Sequence, residues 1–250
     1  MKTLIQNVNV FDGWHEALQE NRSLVIEDGF VREITGPVEN TEQFDQVIDG
    51  GGRTAMPGLA DCHTHIGMST PLSDWDAHRQ DELAVRSTVF ARDMVSRGFT
   101  TIRDAGGVVF GLKASIDSGF VPGPRIYPCH AFISQTCGHG DDRPSRAYQR
   151  LPDGSTTDPN VLNGTNVIVD GVPEMMRAVR EQLFLGATQI KLMAGGGFAS
   201  QYDDVRTIQF TFEELKAAVD CASDYGTYVM VHIYTNEGMQ RAARAGVKSF

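Results

Sequence analysis

Four times along the chain a glycine stands between the end of a helical hydrophobic pattern and a short apolar run. The four are Gly98-Phe99-Thr100, Gly186-Ala187-Thr188, Gly226-Thr227-Tyr228 and Gly246-Val247-Lys248. Glycine suits the left-handed position just past a helix end, so each one reads as a helix stop that feeds a strand. A repeated helix–glycine–strand unit belongs to parallel β/α architecture. Strands are predicted at about 59–65, 99–104, 125–131, 187–193 and 228–234, with a sixth starting near Val247. Between them, Leu83, Ser87, Phe90, Ala91 and Met94 line one helical face. Val172, Met175, Met176, Val179 and Leu183 line another, with Asp170 as its cap and Pro173 in its first turn. Thr211 and Glu214 have capping-box spacing ahead of Leu215, Ala218, Val219 and Ala222. No GxGxxG follows the first strand, which disfavours a dinucleotide fold. The expected fold is therefore α/β, a (β/α)8 TIM-type barrel.

Such a barrel has eight strands, and the pattern supplies roughly five and the start of a sixth. The chain is accordingly expected to be a piece of a longer protein, with 58–250 as the first five to six β/α units; an open sheet is the alternative. Residues 1–57 read differently, as short strands. Val8 and Val10 share a face, and Ser23–Glu27, Asp28-Gly29 and Phe30–Ile34 make a hairpin with a favoured two-residue turn. This β-module is too short to bury much core alone. The stretch 134–169 is polar and rich in Gly, Pro, Asp and Arg, and is read as a long loop at the end of the barrel where active sites lie.

Composition narrows the partners. The 22 Lys and Arg against 32 Asp and Glu leave a formal charge of −10, which argues against nucleic acid or an anionic membrane. No run approaches the ~18 apolar residues of a membrane span. The first ten residues lack the apolar core of a signal peptide. The four cysteines, Cys62, Cys129, Cys137 and Cys221, form no CxxC pair and read as free thiols in a reducing cytoplasm.

Four places can carry chemistry. In Asp61-Cys62-His63-Thr64-His65 the period of two puts Asp61, His63 and His65 on one strand face. Two imidazoles so spaced at a strand end can chelate one divalent metal, with Asp61 one step deeper and placed to orient a ligand. The plain alternative is a pair of hydrogen-bonded core histidines. Lys191 lies in an apolar strand with Ile190 and Leu192 on the opposite face. Desolvation lowers the proton affinity of such an amine, which can then form a Schiff base or a carbamate; the alternative is a head group that reaches solvent. His232 shares a face with Tyr228, Met230 and Tyr234 at the end of the fifth strand, as a ligand or as a satisfied core histidine. In Gly138-His139-Gly140-Asp141 the glycines allow close backbone approach, so His139 can polarise a carbonyl or hold a carboxylate, or else it is a solvated turn residue. Arg143, Arg146 and Arg150 follow, as anion-binding groups or as a solvated loop face.

At these residues the chain resembles the metal-dependent amidohydrolase superfamily. Pro57 to Asp61 with His63-Thr64-His65 is similar to its first-strand signature, Lys191 to its fourth-strand lysine and His232 to its fifth-strand ligand. Gly138–Asp141, Lys191–Gly197 and His232–Thr235 resemble the subgroup of Xaa-Pro dipeptidase-like and ochratoxinase-like amidases. The resemblance implies that 1–57 is the N-terminal part of a composite β-sandwich. It implies two Zn2+ per subunit, held by His63, His65 and His232 and bridged by carboxylated Lys191. A water acidified by the metals would then attack the amide of a dipeptide or an N-acyl amino acid. His139 and Tyr234 would polarise the carbonyl or grip the substrate carboxylate. A homo-oligomer is expected. The family's sixth-strand histidine and eighth-strand aspartate are not in the sequence, so this piece alone is expected to be inactive. The rivals are a cyclic amidase of imidazolonepropionase or dihydroorotase type, a Schiff-base aldolase using Lys191, and an inactive barrel fragment that serves only as an assembly partner.

Overall fold

The computed structural model describes residues 1–69, 80–141, 143, 164–199 and 202–250; Arg146 and Arg150 lie outside the described residues. The chain divides into two units, Met1–Gly58 and Leu59–Phe250.

The first unit is a five-stranded sheet of β1 (Lys2–Val10), β2 (Gln19–Glu27), β3 (Phe30–Thr35), β4 (Gln46–Asp49) and β5 (Thr54–Ala55). Its order is β3-β2-β1-β4, and β5 also pairs with β1. The β2–β3 hairpin turns on Asp28 (φ 52°) and Gly29 (φ 82°), both left-handed, which matches the twist of the strands they join. The buried side of the sheet gathers Val8, Val10 and Leu24, with Ile5 and Ala55 against them.

The second unit alternates strands and helices. In chain order it runs β6 (Leu59–Thr64), α1 (Gln80–Ser96), β7 (Phe99–Asp104), α2 (Phe110–Asp117), β8 (Arg125–Tyr127), β9 (Phe132–Ser134) and β10 (Asn166–Ile168). It continues with α3 (Val172–Leu185), β11 (Ile190–Met193), α4 (Phe212–Asp224), β12 (Val229–His232) and α5 (Asn236–Ala245). All the strand pairs in this unit's two sheets, β6-β7-β8 and β10-β9-β11-β12, are parallel. Past β12 the next segment joins at the same edge, where Ser249 bridges Met230. Apart from β10, which pairs with the other edge of β9, neighbouring strands within each sheet follow the order of the chain. A doubly wound sheet would instead reverse direction at a switch point. Among the described residues no helix is long and apolar enough to cross a membrane.

The helix stops are where the glycines put them. Gly186 (φ 110°) and Gly246 (φ 101°) close α3 and α5 in the left-handed conformation. Thr211 caps α4 with a full capping box, its side chain accepting from Glu214 N while the Glu214 carboxylate accepts from Thr211 N. Under these helices lies one core that joins Met175, Val179, Ile190, Leu192, Leu215 and Val231. A smaller core of Ile66, Ala91, Ile102, Val109 and Ile126 packs under α1 and α2.

The structure departs from the sequence reading in four places. The third strand is two pieces: β8 pairs with β7 and β9 with β11. Pro128 has no N–H to give a ladder, and His130 takes a left-handed φ of 61°, so the strand breaks between them. Part of the long loop is also strand, since Asn166–Ile168 pairs with β9 and the buried Asn166 side chain donates to Gly140 O. Phe90 is half exposed, at 51%, while its α1 neighbours Leu83, Ser87 and Ala91 are buried. Asp170 does not cap α3: Gly171 holds the cap position, and the Asp170 carboxylate binds Thr136 through its N–H and hydroxyl.

Candidate active site

The parallel strands of the second unit all end on one side, and the singled-out residues collect at those ends. His63 lies in β6 and His65 follows it, with ring centroids 5.4 Å apart and planes at 58°. The His65 Nδ1 lies 3.0 Å from Gly106 O. That carbonyl can only accept, so Nδ1 carries the proton and Nε2 keeps its lone pair. Asp61 grips the main chain here, accepting the His63 backbone N–H at 3.1 Å.

Lys191 is at the centre of β11 and only 1% exposed. Its register partner on β12 is Met230, and Met193 pairs with His232. Burial pulls the Lys191 amine down to about 8, with the Arg103 guanidinium pressing the same way and Cys129 and Asp104 opposing. Burial likewise lowers His63 to about 4, helped by Lys191, His65, Arg103 and His232. His65 is lowered by burial and by Lys191, against the pull of the Gly106 carbonyl. His232 falls to about 4 through burial, then His139 and Lys191. The ends of β6, β11 and β12 therefore bring together three imidazoles and an amine whose proton affinities are all lowered and that act on one another electrostatically.

His139 reaches the same place from the loop after β9. Its ring stacks on His232 with centroids 4.2 Å apart and planes at 9°, and Tyr234 meets His232 edge-on at 5.0 Å. His139 is buried, which removes the reading of a solvated turn residue. Two loops hold it. Its backbone N–H donates to Gln209 Oε1 at 3.0 Å, and its Nδ1 lies 3.0 Å from Asp203 Oδ2, which also accepts from Gly197 N. Gly197 is needed for this fit, since a Cβ there would fall 2.2 Å from the His139 ring. Tyr234 is 53% exposed, at the mouth. Arg143 turns inward on the loop and pairs with Asp141.

The opposite end of the strands opens into a cavity of about 490 Å3, lined by Asp61, Cys62, Arg103, Tyr127, Gln189 and Tyr228. Arg103 spans it, donating to Cys62 O, Tyr228 Oη and Ser249 Oγ.

Asp203, Gln209 and Asp104 escaped the sequence reading. Asp104 ends β7 and is fully buried; burial raises its carboxyl, while the N–H groups of Gly106 and Ile66 and the Lys191 charge favour the carboxylate. The available signal was position, since Arg103-Asp104 closes an apolar strand beside the one that ends at His65. Among the described residues no three His, Cys, Asp or Glu side chains converge closely enough to cage a cation by themselves.

The sequence pattern of the amidohydrolase family matches residues 54–250. The ochratoxinase of Aspergillus niger is 32% identical over 238 residues, which cover 92% of this chain and 50% of the ochratoxinase. A prolidase crystallised with N-methylphosphonate-L-proline superposes with a TM-score of 0.89 at 38% identity, over 99% of this chain and 60% of that one. A Xaa-Pro dipeptidase with bound methionine in its active site gives 0.84 at 32%, again over 99% and 60%. The chain therefore spans about half the length of the ochratoxinase and 60% of the solved structures.

Proposed function

The chain belongs to the amidohydrolase family, and from that membership we propose that the whole protein is a divalent-metal hydrolase of dipeptides or N-acyl amino acids. The observation that carries the reading is Lys191, a buried amine lowered to about 8 among three neutral imidazoles. Such a group is a liability in a core unless it is neutral or converted to an anion. The donor set fits divalent ions. Neutral nitrogen bases are what a borderline metal takes, and a carbamate on Lys191 would add an oxygen anion. His63, His65, Lys191 and His232 would hold the ions, with zinc as the default. Bound there, they would polarise an amide carbonyl and acidify a water.

The remaining roles fall to this chain's own groups. The Gly106 carbonyl fixes the His65 tautomer, and the Gly196 carbonyl, 3.2 Å from His232 Nε2, does the same for His232. His139, oriented by Asp203, offers its Nε2 to a substrate carbonyl or carboxylate. Tyr234, exposed beside it, offers a phenol to the same end of the substrate. Substrates with a free carboxylate beside the scissile amide suit that pair, and the similar prolidase and dipeptidase act on such compounds by name. We assign the first unit to a composite β-sandwich, the second to the opening part of an eight-stranded barrel, and the native state to a homo-oligomer.

The test uses the full-length protein. Elemental analysis should find one to two equivalents of a divalent transition metal per chain, lost in His63→Ala/His65→Ala. Lys191→Ala should lose both metal and hydrolysis of Xaa-Pro dipeptides, and short carboxylic acids with added metal should restore part of both. Lys191→Arg should restore neither, because a guanidinium forms no carbamate. Undiminished metal in the double histidine variant, or a borohydride-trapped adduct on Lys191, would remove the reading.

A further inference from the structure

We propose that Asp104 is the positioning residue that sets His65, by fixing in one carboxylate both the backbone that carries the histidine and the carbonyl that orients its ring. The proposal rests on the reading of His65 as a metal ligand given above. Asp104 Oδ2 accepts the N–H of Ile66 at 3.0 Å, the residue directly after His65. Asp104 Oδ1 accepts the N–H of Gly106 at 3.1 Å. The carbonyl of that same Gly106 lies 3.0 Å from His65 Nδ1. The three contacts close a ring that runs from the carboxylate through the backbone to the imidazole and back.

Everything around the ring keeps it in place. Ala105 N donates to Thr64 O at 2.7 Å, so β6 and β7 stay paired up to the histidine. The main-chain oxygen of Asp104 accepts from Gln189 Nε2 at 3.0 Å, and the same amide nitrogen holds Tyr127 O. Gln189 stands two residues before Lys191, so the strand ends carrying His65 and Lys191 are tied through Asp104. Gly106 adopts φ +148°, and a Cβ there would sit 3.3 Å from His65 Nδ1 and 3.0 Å from Phe132. A side chain at this positive φ would be strained and would crowd the His65 ring and Phe132, so glycine suits the turn that brings its carbonyl to the imidazole.

A neutral side chain could satisfy part of this arrangement. An amide in place of the carboxylate has one acceptor oxygen and turns an NH2 toward the second backbone N–H, where two donors would face each other. A fully buried carboxyl is kept only where it binds something, and here both of its oxygens are spent on the two amides that frame His65. Outer partners of this kind commonly change metal affinity by about 10–100-fold when they are replaced.

The experiment compares full-length wild type with Asp104→Asn. Circular dichroism and thermal unfolding establish that the variant is folded. Competitive zinc titration of the metal-free proteins gives affinity, and nitrogen-15 imidazole NMR gives the His65 tautomer. The expected result is a zinc dissociation constant raised about 10–100-fold. His65 should be protonated on Nδ1 in metal-free wild type and become a mixture of tautomers in the variant. Equal affinity together with an unchanged tautomer in folded D104N overturns the proposal, as does an Nε2–H tautomer in wild type. If D104N does not fold, Asp104→Glu retains the carboxylate but displaces both oxygens by a methylene, and the same loss of affinity and tautomer is expected. If neither variant folds, Asp104 is a determinant of the fold and the proposal falls. Wild type that binds no zinc at all would instead sink the metal-hydrolase reading, and the His65 tautomer in the two proteins would still decide the role of Asp104.

Discussion

At the scale of single residues, the site is an arrangement for keeping imidazoles uncharged. His63 and His232 are both drawn from the usual histidine range down to about 4, and His65 is lowered too, burial being the first cause in each case. A folded-state value below the unfolded one means the fold prefers the neutral ring. That contribution to stability is complete above about 6.5, the unfolded value, and is lost as the pH falls through about 4. The metal-free protein should therefore show a denaturant midpoint that drops between pH 6.5 and 4. His63→Asn/His232→Asn should drop less over the same window. Parallel curves for the two proteins would mean that the rings carry no such linkage. His63, His65, Lys191 and His232 stood out because each is a titratable group in or beside an apolar strand, although β6 slips register between Asp61 and Thr64, so a strict period of two does not hold there. Asp203 and Asp104 were not legible for a physical reason. Asp203 meets His139 across 64 residues, and Asp104 meets backbone amides, so no local spacing marks either one.

At the scale of elements, Glu214 does more than its capping-box spacing announces. One carboxylate oxygen accepts Thr211 N at 2.8 Å and the other accepts Gly171 N at 2.6 Å, where α3 begins. The same side chain thus serves the N-termini of α3 and α4. Thr211→Ala should cost about 1 kcal/mol, the usual value for a lost cap. Glu214→Ala should cost about 2 kcal/mol, because two orphaned amides at two helix starts lose their acceptor. Urea unfolding of both variants checks this, and equal losses would show that the Gly171 bond contributes nothing. Helix ends were readable because caps and glycine stops are local chemistry. The third strand was not, because its two pieces are split between sheets by Pro128 and by the left-handed His130. Nor was β10, three residues long, whose pairing with β9 comes with an Asn166 side chain that reaches Gly140.

At the scale of the molecule, the two units rest on very different cores. In Met1–Gly58 the buried apolar residues are Leu4, Val8, Val10, Leu24 and Val25, all on β1 and β2, while all four residues of β4 are exposed. In Leu59–Phe250 the larger cluster runs continuously under α3, α4 and α5 and takes in β11 and β12, where Ile190, Leu192, Val229 and Val231 are each at most 1% exposed. A sheet of under sixty residues buries a small share of its surface and is only marginally stable by its own core. Local opening follows the density of buried apolar contact. The amides of Leu4–Val10 should therefore exchange with deuterium faster than those of Ile190–Met193 and Val229–His232. Within the first unit β1 should still be the slowest strand, since β2, β4 and β5 all pair with it. Mass-spectrometric exchange at neutral pH measures both differences. Equal protection of β1 and β11 would mean that the stability of the small sheet does not come from its own small core, and the argument from core size would fail for it.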